Sequence, residues 1–215
     1  MKQITFLNVL PQVFDSLAGQ MSSDVWLREV TFQRGCHYLL EAESGKGKST
    51  FCSYIMGYRH DYSGQVLIDG ADSRSFKVND WVHLRQQHVS CLFQELRLFP
   101  ELTAFENIEI KNRLTHHKTR QEIEIWFERL GLSDKLNAKV GKLSFGQQQR
   151  VALLRALVQP FDFLLADEPV SHLDDRNAGL MAEILVEEAQ RQGASVIATS
   201  IGKRIPVAYE KTLKL

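Results

Sequence analysis

The run Ala42-Glu43-Ser44-Gly45-Lys46-Gly47-Lys48-Ser49-Thr50 decides the reading of this chain. Before it stands the β-prone segment His37 to Glu41, and after it Phe51 to Met56 continues with helical character. The order strand, loop, helix brings free backbone N–H groups and the positive end of a helix macrodipole to one point, which is what phosphate groups require. Gly45 and Gly47 let the backbone come close. Lys48 is placed to meet the outer phosphates of a nucleoside triphosphate as a point charge, and the Ser49 hydroxyl to ligate Mg²⁺. Ser44, Lys46 and Thr50 complete the cradle, Thr50 on the α-phosphate side. The strict pattern G-x-x-x-x-G-K-[ST] fails at one position, because Ala42 stands where its first glycine belongs. Alanine serves there if the backbone does not need a positive φ. The competing reading is a glycine-rich turn ahead of an amphipathic helix.

Working outward, short β-rich segments alternate with helical patterns, so the fold class is α/β with a mainly parallel sheet. Strands are expected at Ile4–Val9, Val25–Phe32, His37–Glu41, Gln65–Ile68, Val89–Phe93, Phe161–Ala166 and Ala194–Thr199, the early ones pairing antiparallel and the one at Ala194 being the last. Ile123, Trp126, Phe127 and Leu130 repeat at helical spacing and Gly131 stops the pattern. A second helix is expected from about Asn177 to Gln192, with Gly193 as its cap. The polar stretch Lys111 to Gln121, including His116, His117 and Lys118, reads as a solvated loop inside a helical insertion over residues 95–157.

Composition narrows the function. The 26 basic and 26 acidic residues cancel, so no overall field gathers nucleic acid, and no direct nucleic-acid partner is expected. No apolar run approaches the roughly 18 to 20 residues needed to span a bilayer. The N-terminal segment, interrupted by Asn8, Gln12 and Asp15, lacks the apolar stretch of a secretory signal. One domain over residues 1–215, located in the cytoplasm, is therefore expected. Cys36, Cys52 and Cys91 are too far apart for a zinc knuckle and read as small core residues. Trp26, Trp81 and Trp126 fall in apolar patterns and read as packing residues.

Further motifs follow in series. Cys91-Leu92-Phe93-Gln94 precedes Leu98 to Asn107; Leu143-Ser144-Phe145-Gly146-Gln147 opens a helical stretch; Phe163-Leu164-Leu165-Ala166-Asp167-Glu168 is an apolar strand ending in two acids; and Ser171-His172-Leu173-Asp174 comes next. With the phosphate loop, this set resembles the ATP-binding-cassette family: Walker A, Q-loop, signature, Walker B and D-loop in order. The resemblance covers nearly the whole chain, and the segment Leu98 to Asn107 looks most like the subgroup serving lipoprotein release, cell division or macrolide efflux. It implies a RecA-like P-loop NTPase fold with an antiparallel N-terminal β portion and an inserted helical subdomain.

The same resemblance implies roles. Asp167 and Ser49 would hold Mg²⁺ with help from Gln94, which would also sense the γ-phosphate. Glu168 would polarise the attacking water, making Glu168, Lys48 and Gln94 the catalytic set. Ser144, Gly146 and Gln147 would face the ATP of a second protomer, so that a homodimer closes around two nucleotides and drives a separate transmembrane permease from the cytoplasmic face of the membrane. Phe14 is the candidate for adenine stacking, with plain core packing as the alternative. Two positions depart from the family pattern: Phe145 replaces a signature glycine, and Ser200 follows Thr199 where a switch histidine is usual. A serine hydroxyl cannot share the charge that develops on phosphate, so slow turnover, or a regulatory cassette that binds ATP with little hydrolysis, is the alternative function. The basic residues Lys203, Arg204, Lys211 and Lys214 read as a solvated tail.

Overall fold

A computed structural model describes residues 1–215. In chain order the elements are β1 (Gln3–Pro11), β2 (Glu29–Gln33), β3 (Tyr38–Glu41), α1 (Lys48–Ile55), β4 (Tyr62–Ile68), β5 (Ala71–Asp72), α2 (Val78–Gln87), β6 (Val89–Leu92), α3 (Ala104–Asn112), α4 (Arg120–Arg129), α5 (Phe145–Leu157), β7 (Phe163–Asp167), α6 (Asp175–Gln192), β8 (Ser195–Ser200) and β9 (Lys211–Lys214). Strands β6-β7-β8-β3-β9 form one parallel sheet, and β2-β1-β4-β5 form a separate antiparallel sheet.

The parallel strands are apolar at nearly every position because both of their faces are covered. Side chains alternate between two cores: Leu39, Leu164, Ala166, Val196 and Ala198 face α5, α6 and the helical insertion. Tyr38, Leu40, Phe163, Leu165 and Ile197 face α1, α2 and the antiparallel sheet. An aromatic group of Phe6, Trp26, Phe32 and Phe51 fills the second core, with Phe6 and Phe51 stacked at 4.7 Å. This anchors the phosphate loop, since Phe51 belongs to the helix that the loop feeds.

The insertion between the neighbouring strands β6 and β7 carries α3, α4 and α5. Each of these helices starts with a capping box: Thr103 with Glu106, Thr119 with Glu122, and Ser144 with Gln147. Reciprocal caps of this kind satisfy amides that would otherwise lack partners at the helix start. Helix α6 is capped at its start by Asp174, whose Oδ1 accepts from the Asn177 amide at 2.8 Å, and at its end by left-handed Gly193.

Four expectations need correction. The strand expected from Val25 starts only at Glu29, because Leu27 adopts φ 57 and the Ser23 hydroxyl captures the amides of Val25 and Trp26. The strand at Ser195 is not the last: β9 pairs in parallel with β3, and Leu213 is buried. The basic tail is correspondingly not free, as Lys203 pairs with Asp175 and Arg204 with Glu41. Finally, the polar stretch after Lys111 is not a solvated loop throughout. Helix α3 runs on to Asn112, and Lys118 is buried with its ammonium 2.7 Å from Glu188 and 4.8 Å from the Trp126 ring. That partner lies far along the chain, so local polarity could not reveal the burial.

Candidate nucleotide site

The loop from Ser44 to Gly47 links β3 to α1, and two of its glycines carry the turn. Gly45 has φ 79 and Gly47 φ 95, and a Cβ on Gly47 would press at 3.1 Å on the rings of both Phe14 and Trp26. Ala42, by contrast, has no positive φ, so the missing glycine costs the loop no backbone strain. Helix α1 starts at Lys48, which leaves the first amides of that helix without intrahelical partners. The Lys48 ammonium is folded back over the loop, donating to the carbonyls of Ala42 at 3.0 Å and Glu43 at 2.8 Å. It also stands 3.7 Å from Glu168 Oε1.

The two acids at the end of β7 take different positions. Asp167 is buried; it accepts from the Ser49 hydroxyl at 2.6 Å on one oxygen and from the Thr199 hydroxyl at 2.6 Å on the other. Glu168 turns out of the strand with φ 51, a left-handed conformation that is strained in a non-glycine residue and is found at functional points. Its amide donates to Thr199 Oγ1 at 3.1 Å, and its Oε2 accepts from the Gln94 amide nitrogen at 3.4 Å. Lys48, Ser49, Gln94, Asp167 and Glu168 therefore converge, as their motifs imply.

All of these but Asp167 border a cavity of about 350 Å³ whose lining includes Phe14, Ser44, Gly45, Gly47, Lys48, Ser49, Thr50, Gln94 and Glu168. Phe14 and its exposed neighbour Val13 are both lining residues, Phe14 being buried with its ring against Gly47. Lys46 does not line the cavity, although its carbonyl accepts from the Trp26 indole at 3.3 Å. Ser144, Gly146 and Gln147 also lie outside it. In their place at the start of α5, the Ser144 hydroxyl accepts from the Gln147 amide at 3.3 Å while Gln147 Oε1 accepts from the Ser144 amide at 2.9 Å. Phe145 is 46% exposed and packs edge-on against His172 at 4.9 Å.

Three lining residues escaped the sequence reading. Val13 and Ile201 are exposed apolar side chains with no motif around them, and Arg59 follows α1, where its guanidinium reaches Thr50 Oγ1 at 3.4 Å. Thr199, which joins the two acids, carries no motif of its own and reads in sequence only as a strand residue. Ser200 is buried and occupied locally: its hydroxyl donates to the Lys203 carbonyl at 3.0 Å and accepts from the Gly202 amide at 3.0 Å. The side chain that meets the cavity from this loop is Ile201, not Ser200.

The donor set around Asp167 suits a hard cation. Ser49 and Asp167 offer oxygen ligands only, which fits Mg²⁺, an ion that keeps several waters and takes few protein ligands. The nearby thiols do not compete: burial first, and then the Asp167 carboxylate, push both up, Cys91 to about 12, so both stay protonated.

Comparison with known proteins agrees with this geometry. The profile of the ABC transporter family matches residues 28–171. The chain is 33% identical over 157 residues to the Bacillus subtilis ABC transporter ATP-binding protein YtrE, covering 72% of this chain and 68% of that protein. It is 32% identical over 190 residues to the Escherichia coli ABC transporter ATP-binding protein YbbA, covering 87% and 83%. Against the Shewanella macrolide export ATP-binding/permease protein MacB the identity is 34% over 174 residues, 78% of this chain but only 26% of that longer protein. Among solved structures, the dimeric bacterial ABC transporter cassette MJ0796 superposes with a TM-score of 0.77 at 25% identity, covering 92% of this chain and 87% of that one.

The chain is thus an ATP-binding cassette: it belongs to the ABC transporter family. Within that family it resembles the macrolide-efflux group. No helix is long and apolar enough to cross a membrane.

Proposed function

We propose that the chain is a single ATP-hydrolysing domain, a cytoplasmic subunit that dimerises around two nucleotides and drives a separate transmembrane permease. The observation that carries this reading is the convergence on one loop of Lys48, Ser49, Gln94, Asp167 and Glu168, with no pair in the chain of contacts longer than 3.7 Å. Gly45, Gly47 and the first amides of α1 cradle the phosphates; Ser44 and Thr50 extend the cradle; Phe14, a lining residue, stacks on adenine. Lys48 exchanges its two loop carbonyls for the outer phosphates. Ser49 and Asp167, with Gln94, hold Mg²⁺, which when bound neutralises charge on the phosphate oxygens. Glu168 orients the attacking water and receives its proton, while the Gln94 amide fixes the carboxylate. In the dimer, Ser144, Gly146 and Gln147 of one copy meet the γ-phosphate held by the other. The relatives support the assembly: the MacB proteins combine ATP-binding and permease functions, and one MJ0796 structure is a dimer bound to ADP and Pi.

The test is Glu168→Gln. Phosphate release should fall by about two orders of magnitude or more, with an Mg-ATP-dependent dimer accumulating on size exclusion; Lys48→Ala should lose nucleotide binding itself. A second reading, a regulatory cassette with little turnover, is favoured by the Ser200 hydroxyl being committed to its own turn. It requires wild-type phosphate release to be already near background, with dimerisation by ATP intact.

A further inference from the structure

Two imidazoles face each other where α2 gives way to β6. His83 projects from α2 and His88 caps its end, with their Nε2 atoms 3.3 Å apart. The backbone of His88 is fixed on both sides. Its amide donates to the Leu84 carbonyl at 2.9 Å, and its carbonyl accepts from the amides of Asp162 at 2.8 Å and Phe163 at 3.0 Å. Its Nδ1 lies 2.6 Å from Asp162 Oδ2. A carboxylate can only accept, so Nδ1 carries the proton and the Nε2 lone pair is left facing His83. Asp162 is held in turn by Arg34 at 2.7 Å and by the Met1 amine at 2.6 Å, the latter also 3.4 Å from Nδ1.

The spacing and tilt of the rings distinguish a shared ion from a direct hydrogen bond. Seen from a zinc ion about 2.05 Å from each nitrogen, the 3.3 Å separation subtends about 107°, near tetrahedral. Ligands at a right angle, as in square-planar sites, would stand about 2.9 Å apart. Rings aimed at such a shared ion have centres about 5.1 Å apart, whereas rings in line along an N–H···N hydrogen bond of this length would have them about 5.6 Å apart. The observed centres are 5.0 Å apart, with the ring planes at 73°. Both imidazoles open onto a cavity of about 460 Å³ that Asp69 and Asp80 also border. Those two carboxylates already accept backbone amides, Asp69 from Lys2 and Gln3 and Asp80 from Lys77. No third His, Cys, Asp or Glu joins the pair as a ligand, so water fills the remaining positions.

We propose that His83 and His88 bind one zinc ion through their Nε2 atoms, with Asp162 as the positioning residue that orients His88. A carboxylate behind a ligating imidazole fixes its tautomer and raises its basicity, which is the part Asp162 plays here. The site is separate from the nucleotide site. Val89 and Phe163 begin the paired strands β6 and β7, while Gln94 and Glu168 follow the far ends of those strands, so the two sites lie at opposite ends of the sheet. The ion ties the second half of α2 to the start of β7. Because the fold presets the ligand that Asp162 holds, binding favours the folded chain.

The test titrates Zn²⁺ into the full, untagged chain by calorimetry and follows Co²⁺ in the same site by its visible absorption. One ion per chain is expected, with the intense bands of tetrahedral cobalt, no displacement by excess Mg²⁺, and a thermal midpoint raised by zinc. Asp162→Asn should weaken zinc binding about 10- to 100-fold, and His83→Gln or His88→Gln at least as much. His83 is exposed, so His83→Gln leaves the fold intact, and the thermal midpoint without metal reports whether the other two variants fold. His116→Gln combined with His117→Gln removes the adjacent histidines elsewhere in the chain and should leave the affinity unchanged. Absence of saturable zinc binding overturns the proposal and reduces the pair to a hydrogen bond. Binding that survives His83→Gln, or that disappears with His116 and His117, overturns it as well, as does the weak spectrum of octahedral cobalt.

Discussion

Thr199 and Asp167 are joined by a hydrogen bond of 2.6 Å from the threonine hydroxyl to Oδ1 of the acid, and the same hydroxyl accepts from the amide of Glu168. One side chain at the end of β8 thereby fixes both acids at the end of β7. Replacing Thr199 by valine keeps the volume and removes the hydroxyl, leaving a buried carboxylate oxygen and an amide short of a partner. Thr199→Val should cost about 1–3 kcal/mol in urea denaturation and lower kcat for phosphate release more than it raises KM for ATP. Unchanged stability and turnover would show that the hydroxyl is incidental.

Ala42 occupies the loop position that the family pattern gives to glycine, without a positive φ. Restoring glycine adds freedom to the unfolded chain and relieves nothing in the folded one. Ala42→Gly should therefore lower stability by about 0.4–1 kcal/mol while leaving the Kd for ATP within about twofold. A large gain in affinity would mean that alanine does distort the loop.

Lys111 offers a prediction in pH. Its folded pKa is about 7, lowered from 10.5 by burial and Arg155, so between those values the unfolded chain holds a proton that the folded chain has released. Stability accordingly rises with pH across that window, and the penalty of burying the ammonium is complete below pH 7. Lys111→Met should raise the denaturation midpoint most at pH 6, the gain fading as pH climbs past 7. A gain that grows with pH would contradict the assignment.

The buried pair Lys118 and Glu188 ties the insertion to α6, with side chains 1% and 4% exposed. Arg191 remains 3.0 Å from Glu188 as a second cation, which limits the damage. Lys118→Met should still cost about 3 kcal/mol. A double-mutant cycle with Glu188→Gln should return a coupling above about 1 kcal/mol; additive losses would place the cost in packing against Trp126 instead.

What the sequence made legible was whatever is contiguous along the chain. The phosphate loop, the paired acids of β7 and the helix α6 from its cap to Gly193 are local patterns, and the structure holds them close to where the residues point. What escaped is made by encounters between distant segments. Thr199 matters because β8 lies beside β7; Lys118 is buried because Glu188 arrives from another helix; and the polar run Lys211–Lys214 becomes a strand because β3 offers it an edge and Leu213 a place in the core. Arg59 and Ile201 reach the cavity by position alone, with no motif to announce them.

The hydroxyl of Ser144 receives the Gln147 amide on a lone pair, so its own proton stays free to point outward. The donor that the proposed dimer would use is thus exposed in the single chain, and the Ser144→Ala variant would lose a helix cap and that donor in one stroke. An assembly defect in that variant cannot be read as lost phosphate contact until the melting of the isolated protomer has been subtracted.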